Sequence, residues 1–205
     1  MTEQRRAGQR WTQRVLPAFG LAVIATGLAA PARAIDIETL DVRYENGHYR
    51  VQFEAELAAR PEAVQRVLTD YAHYPALDAR IEESHLIPSA PGAPPRLYTR
   101  LKGCLSWFLC RSMVRIETLE QKPGELVATA IPELSDVRES LAATHWEASA
   151  AGTHVSYALT LSPKFWVPSL FGRRAMLETM RKGTATMFTS VERLAREPQV
   201  ANGRG

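Results

Sequence analysis

The chain predicts an α+β domain: an antiparallel sheet with a short helical section after its first strands and one long C-terminal helix. Three observations carry this. Asn46-Gly47, a pair that favours tight hairpin turns, sits between two alternating segments. Five strand-like segments follow between residues 96 and 163, divided by short turn-rich breaks. Residues 167 to 198 then return to helical period. Strands in series with helices kept to one face make an α+β architecture.

Each element follows from its residues. Around Asn46-Gly47, Tyr49, Val51, Phe53, Ala55 and Leu57 alternate with Arg50, Gln52, Glu54 and Glu56, so two strands are predicted. "RPEAVQRVLTDYAHYPAL" switches to helical spacing. Pro61 takes the first helical position, and Ala63, Val64, Val67, Leu68 and Tyr71 share one face. Pro75 is expected to end that section. "PSAPGAPP" reads as a loop. "RLYTRLKG", "RSMVRIETLEQ", "ELVATAIPE", "VRESLAATHWEAS" and "THVSYALTLSP" form the ladder, broken at "KPG", "PELSD" and "AAG". In the second of these, Val114, Ile116 and Leu119 are set against Arg115 and Glu117. Leu170, Leu177, Met180, Thr184, Met187, Val191 and Leu194 then recur every three or four residues. Roughly 25 residues at about 1.5 Å each make a helix of about 40 Å, long enough to cross a sheet.

Residues 1–34 read as an export signal, with cleavage expected after Ala34 and a single domain over 35–205. Arg5, Arg6, Arg10 and Arg14 precede the apolar run "VLPAFGLAVIATGLAA", and "PARA" supplies small residues at Ala32 and Ala34. Pro17, Gly20 and Gly27 interrupt the run, which is shorter than the ~20 residues a membrane span needs. The expected location is periplasmic or secreted. The whole chain is +3 with 25 basic and 22 acidic side chains; taking away the five Arg and one Glu of residues 1–34 leaves 20 and 21, a net of −1. The high pI therefore belongs to the export segment and is no evidence for nucleic-acid binding, and no nucleic acid is expected as a partner.

Cys104 and Cys110 are the only cysteines, spaced C-x5-C in "GCLSWFLCR". Without further thiols or a nearby His they make a poor zinc site, and they lack redox C-x-x-C spacing. In an oxidising compartment the pair is expected to form a structural disulfide, a clamp worth about 2 kcal/mol for so short a loop.

"VLTDYAHYPAL" and "THWEASAAGTHVSYALTL", followed by "PKFWVPSLFG" ahead of the last helix, resemble the START-like, or SRPBCC, superfamily (the polyketide cyclase and lipid-transport group) over residues 50–196. Within it the coenzyme Q-binding and ribosome-association-toxin type is similar through Asp70, Tyr71, Tyr74 and Pro75, which match a helix-ending D-Y-x-x-Y-P. The resemblance implies a helix-grip fold: a curved antiparallel sheet wrapped around the long C-terminal helix, with a cavity for hydrophobic ligands. It does not imply catalysis. The export signal and the cysteine loop depart from that branch, so neither a ribosomal nor a respiratory-quinone role carries over.

The expected ligand-binding residues are Trp107, Phe108, Trp146, Tyr157, Phe165, Trp166, Met176, Met180, Gly183 and Met187. Each has a bland reading beside it. Methionines at helical spacing pack cores as readily as they wall a flexible pocket. Gly183 costs about 1 kcal/mol relative to Ala inside a helix, a cost that makes sense where something approaches the backbone closely. Trp107 and Phe108 pack inward or form an aromatic tip that meets a membrane or covers lipid. Trp146 and Tyr157 alternate into strands as core residues do. Phe165, Trp166 and Pro168 read as a staple at the helix start. Asp70, Tyr71, Tyr74 and Pro75 are a helix terminus or a gate. Arg100, Lys102, Arg115 and Glu117 look like a solvated strand face, with one arginine steering an anionic head group as the alternative.

No H-E-x-x-H, G-x-S-x-G or phosphate loop occurs. No metal, cofactor or catalytic residue is expected. The expectation is a monomeric carrier of a hydrophobic small molecule or lipid, with transient membrane contact. The alternatives are a cyclase or hydrolase using Glu133, Asp136 or His145, and an envelope protein-interaction module docking through "SWFL".

Overall fold

The computed structural model describes residues 35–104, 110–167 and 171–198. The expectations for residues 1–34 and for Trp107, Phe108, Pro168 and Leu170 lie outside them.

Asn46 and Gly47 both have positive φ, 51° and 84°, the conformation a two-residue turn of matching twist demands. They join β1 (Asp36–Glu45) to β2 (His48–Leu57), whose Tyr49, Val51, Phe53, Ala55 and Leu57 are buried while Arg50, Gln52 and Glu54 face water. Next comes α1 (Pro61–Leu68), which buries Val64, Val67 and Leu68. It stops at Thr69, earlier than expected, where the Thr69 hydroxyl donates to the Gln65 carbonyl at 2.9 Å. Pro75 lies inside a following 3-10 helix, Tyr71–Ala76, rather than ending the helical section. The tighter 3-10 turn tolerates it.

β3 (Ile81–Ile87), β4 (Arg96–Cys104), β5 (Cys110–Lys122), β6 (Glu125–Ala130), β7 (Val137–Ala148) and β8 (Thr153–Pro163) complete one antiparallel sheet of eight strands, ordered β1-β2-β8-β7-β6-β5-β4-β3. α2 (Gly172–Arg196) crosses it. This is the expected α+β helix-grip architecture, a curved sheet around one long helix.

The helix does not lie evenly on the sheet. It packs on α1, β1 and β2. Its C-terminal half buries Phe188 and Val191 completely, with Phe188 stacked on Phe53 at 4.5 Å between ring centroids. Trp146, Leu57 and Val64 belong to the same cluster. A second cluster gathers Val42, Tyr49, Val51, Val137 and Leu161, with Met176, Leu177 and Met180 half-buried against it. Met176 and Met180 stay half-buried because they overlie a hollow on the inner face of β4–β8. Among the described residues no helix is long and apolar enough to cross a membrane.

Candidate functional site

A cavity of about 580 Å³ lies between α2 and the sheet. Alternate residues of five strands make its floor: Leu97, Thr99 and Leu101 from β4; Met113, Arg115, Glu117 and Leu119 from β5; Leu126 and Ala128 from β6; Ala142 and Thr144 from β7; Tyr157, Leu159 and Leu161 from β8. The roof is Met176, Thr179, Met180, Gly183, Thr184 and Met187, which share one face of α2 by their three- and four-residue spacing. Leu68, Tyr74 and Leu77 also line it, from α1 and the segment after it. Of the described lining residues, only Lys102, Gly103, Arg111 and Trp166 are exposed. They mark the mouth. There the Arg111 guanidinium sits over the Phe165 ring, 5.6 Å from its centroid.

The wall is mostly aliphatic, but one strip is polar. Arg115 reaches Glu117 at 3.7 Å, and Ser140 donates to the same carboxylate at 3.3 Å. Glu117 is only 2 % exposed. This corrects the reading of Arg115 and Glu117 as a solvated face: they point inward with Met113 and Leu119. Thr99, opposite Arg115 in the register, is buried and its hydroxyl has no hydrogen-bond partner; nor does the Arg115 Nε–H. A buried charged pair with unsatisfied donors is costly unless something completes it. Burial pushes the Tyr157 phenol up to about 12, Arg115 lowering and Glu117 raising it, so Tyr157 is a neutral hydroxyl at physiological pH. Tyr74 is raised further, again chiefly by burial, and donates its proton to the Leu68 carbonyl at 2.7 Å. That bond makes Tyr74 an anchor of the 3-10 helix.

Gly183 is explained by a neighbour within the chain. A methyl there would overlap the Arg80 guanidinium. Arg80 crosses the helix at that point, donating from Nη1 to the Thr179 carbonyl at 2.9 Å and from Nε to both Asp78 oxygens at 3.0 Å. Burial alone would raise the Asp78 carboxyl, but the hydrogen bonds and charge of Arg80 outweigh it and hold it below the usual carboxylate range. The pair ties the segment before β3 to α2.

Of the expected binding residues, Tyr157, Phe165, Trp166, Met176, Met180, Gly183 and Met187 line the cavity. Trp146 does not: it is 3 % exposed and closes the core where β7 meets α1. Trp166 is 80 % exposed, so it is no staple for the helix start. Thr99, Asp78 and Arg80 escaped the sequence reading, in which Arg115 and Glu117 face solvent. One signal for them was parity: Leu119 shares its side of β5 with Arg115 and Glu117, not with Val114 and Ile116.

The proposed acid–base residues lie elsewhere. Glu133 and His145 are exposed, and Asp136 accepts the Val114 backbone N–H at 2.9 Å, holding the loop before β7 on β5. None of the three lines the cavity. On the outer face, Glu38, Glu56 and His154 bring ligand-type atoms within 4.8 Å of one another. His154 Nδ1 is 3.1 Å from Glu56 Oε1 and Ser149 donates to the other oxygen, an arrangement complete as a surface hydrogen-bond cluster.

The profile of the family described as polyketide cyclase / dehydrase and lipid transport matches residues 48–197. Among curated proteins, none matches the chain. Many solved structures are similar, and three of them serve as examples. A START superfamily protein from Mycobacterium smegmatis is 19 % identical over 72 % of this chain and 99 % of its own, with a TM-score of 0.56. A STAR-related lipid transfer protein from Xanthomonas axonopodis is 17 % identical, covering 76 % and 98 %, at 0.53. An aromatase/cyclase from a Streptomyces species is 16 % identical, covering 80 % and 100 %, also at 0.53. At such identities the likeness is one of fold. The family match, spanning most of the chain, goes further: the protein belongs to the polyketide cyclase / dehydrase and lipid transport family, within the START-like superfamily.

Proposed function

We propose that this is an exported carrier that holds a hydrophobic small molecule, a lipid with one polar end, between its sheet and its C-terminal helix. The observation that carries the reading is the 580 Å³ hollow itself, inside the range of small-molecule sites and walled mainly by aliphatic side chains. Methionines 176, 180 and 187 suit a roof that must adapt to a flexible chain. The polar strip defines the other end of the ligand. A ligand oxygen that accepts from both the Arg115 Nε–H and the Thr99 hydroxyl, such as that of a hydroxyl or a carboxylic acid, completes both unsatisfied donors. Residues 1–34 supply the export signal, cleaved after Ala34. A disulfide between Cys104 and Cys110, directly opposite in the β4–β5 register, pins the hairpin beside the mouth.

The cyclase reading is weaker, because none of its candidate acids and bases faces the cavity. Organic extraction of protein purified without detergent from its own envelope, followed by mass spectrometry, tests the proposal. An intact amphipathic lipid in near-stoichiometric amount is expected. Protein that emerges empty and also fails to take up a fluorescent fatty acid contradicts it.

A further inference from the structure

We propose that the cavity mouth is a docking face for an anionic phospholipid bilayer; this rests on the carrier reading above and names the surface through which cargo passes. Two segments meet at the mouth, the adjoining strand ends of β4 and β5 and the lead-in to α2, joined by Arg111 over Phe165. Residues 102–111 contain Lys102 and Arg111, both exposed, and residues 164–177 contain Lys164, Arg173 and Arg174, exposed as well. Neither segment holds a single Asp or Glu. From residue 35 onward the chain is net −1, so this is a local concentration of cations on an otherwise balanced protein.

The nearby carboxylates are already engaged. Asp78 is bound by Arg80, and Glu82 accepts from Ser112 and pairs with Arg100. Among the described residues no carboxylate pairs with Lys102, Arg111 or Arg174. Beside these cations stand the two most exposed large apolar side chains described, Trp166 at 80 % and Phe171 at 85 %. Exposed aromatic rings at the level of a cationic rim are what a headgroup interface accommodates. Because Lys102, Arg111 and Trp166 also line the cavity, a bilayer seated there would face the opening directly.

The test is co-sedimentation of the mature chain with vesicles of phosphatidylcholine alone, and of phosphatidylcholine mixed equally with phosphatidylglycerol. Binding is expected to the anionic vesicles and to fall steeply as salt is added. Arg174→Glu and Phe171→Ser do not line the cavity and are exposed, so both should fold and still bind a fluorescent fatty acid in vesicle-free solution. Arg174→Glu should weaken vesicle binding by about five-fold or more, at the usual value of a surface cation beside anionic lipid. Phe171→Ser and Trp166→Ala should each weaken it several-fold. Equal binding to both vesicle types, no binding, or affinities unchanged in all three variants would overturn the proposal. So would a vesicle-free dimer abolished by Phe171→Ser, which would assign the face to a second copy of the chain. A wild type that binds vesicles but no fatty acid would sink the carrier reading and leave the docking face standing.

Discussion

Replacing Gly183 with alanine should destabilise the protein, against the ordinary expectation for a helix interior. In an unhindered helix Gly→Ala gains about 1 kcal/mol. Here the new methyl would overlap the Arg80 guanidinium, which must leave. Leaving breaks its hydrogen bond to the Thr179 carbonyl. A charged hydrogen bond contributes roughly 1.5–3 kcal/mol, and the 36 % exposure of Arg80 argues for the low end. The contact with Asp78, whose side chain is 10 % exposed, loosens as well. Losses of about 2 kcal/mol against a gain of about 1 leave the variant less stable by about 1 kcal/mol, a fall in Tm of roughly 2–4 °C. Arg80→Ala reverses the sign: with the guanidinium gone, Gly183→Ala should stabilise by about 1 kcal/mol. Urea unfolding of the four proteins in this cycle gives the coupling directly, about 2 kcal/mol. If Gly183→Ala stabilises equally in both backgrounds, Arg80 is not what keeps a glycine at this position.

Three further outcomes follow from the same geometry. Asp78 titrates below the unfolded value of about 4, so its contribution to stability is complete above that pH and is lost as pH falls through its folded pKa; Asp78→Asn should flatten this part of an acid-unfolding curve. Tyr157 and Tyr74 have raised pKa values, so the native state keeps protons that the unfolded chain releases above about pH 10; stability should fall as pH rises past that point, and an ultraviolet titration at pH 11 should count fewer than the six tyrosines present. Arg115→Met alone strands Glu117 in the hollow and should cost about 3 kcal/mol in a denaturant titration, whereas Arg115→Met with Glu117→Leu should recover most of that while weakening a fatty acid more than a plain hydrocarbon.

Most of the scaffold was legible because its signals are local. Asn46-Gly47 dictates a turn, Pro61 starts a helix, and the stripe through Met180, Thr184, Met187 and Val191 needs no partner to be recognised. The site was legible only where it shares that helix. Period-two patterning says that β5 has two faces, but Arg115 and Glu117 look solvated when judged by residue type alone. What puts them inside is the hollow that gives them room and the Ser140 hydroxyl that meets Glu117, both of which depend on strands distant in sequence. Trp146 failed in the opposite direction. It shares the inward face of β7 with Ala142 and Thr144, but it lies at the end that α1 covers, and nothing in a single strand reveals where a covering helix stops. A glycine inside a helix points to a close approach at Gly183, but the approaching group belongs to Arg80, 103 residues earlier.

The central claim is that the space between helix and sheet is meant to be occupied by a guest molecule. Ala128 lies on the β6 part of the floor, so Ala128→Trp should fill the hollow from below. Titrating a fluorescent fatty acid into wild type and variant, with thermal melts alongside, reads the claim directly. At least ten-fold weaker binding with an unchanged or higher Tm is the predicted result. Unchanged binding, or no binding by the wild type, would contradict it.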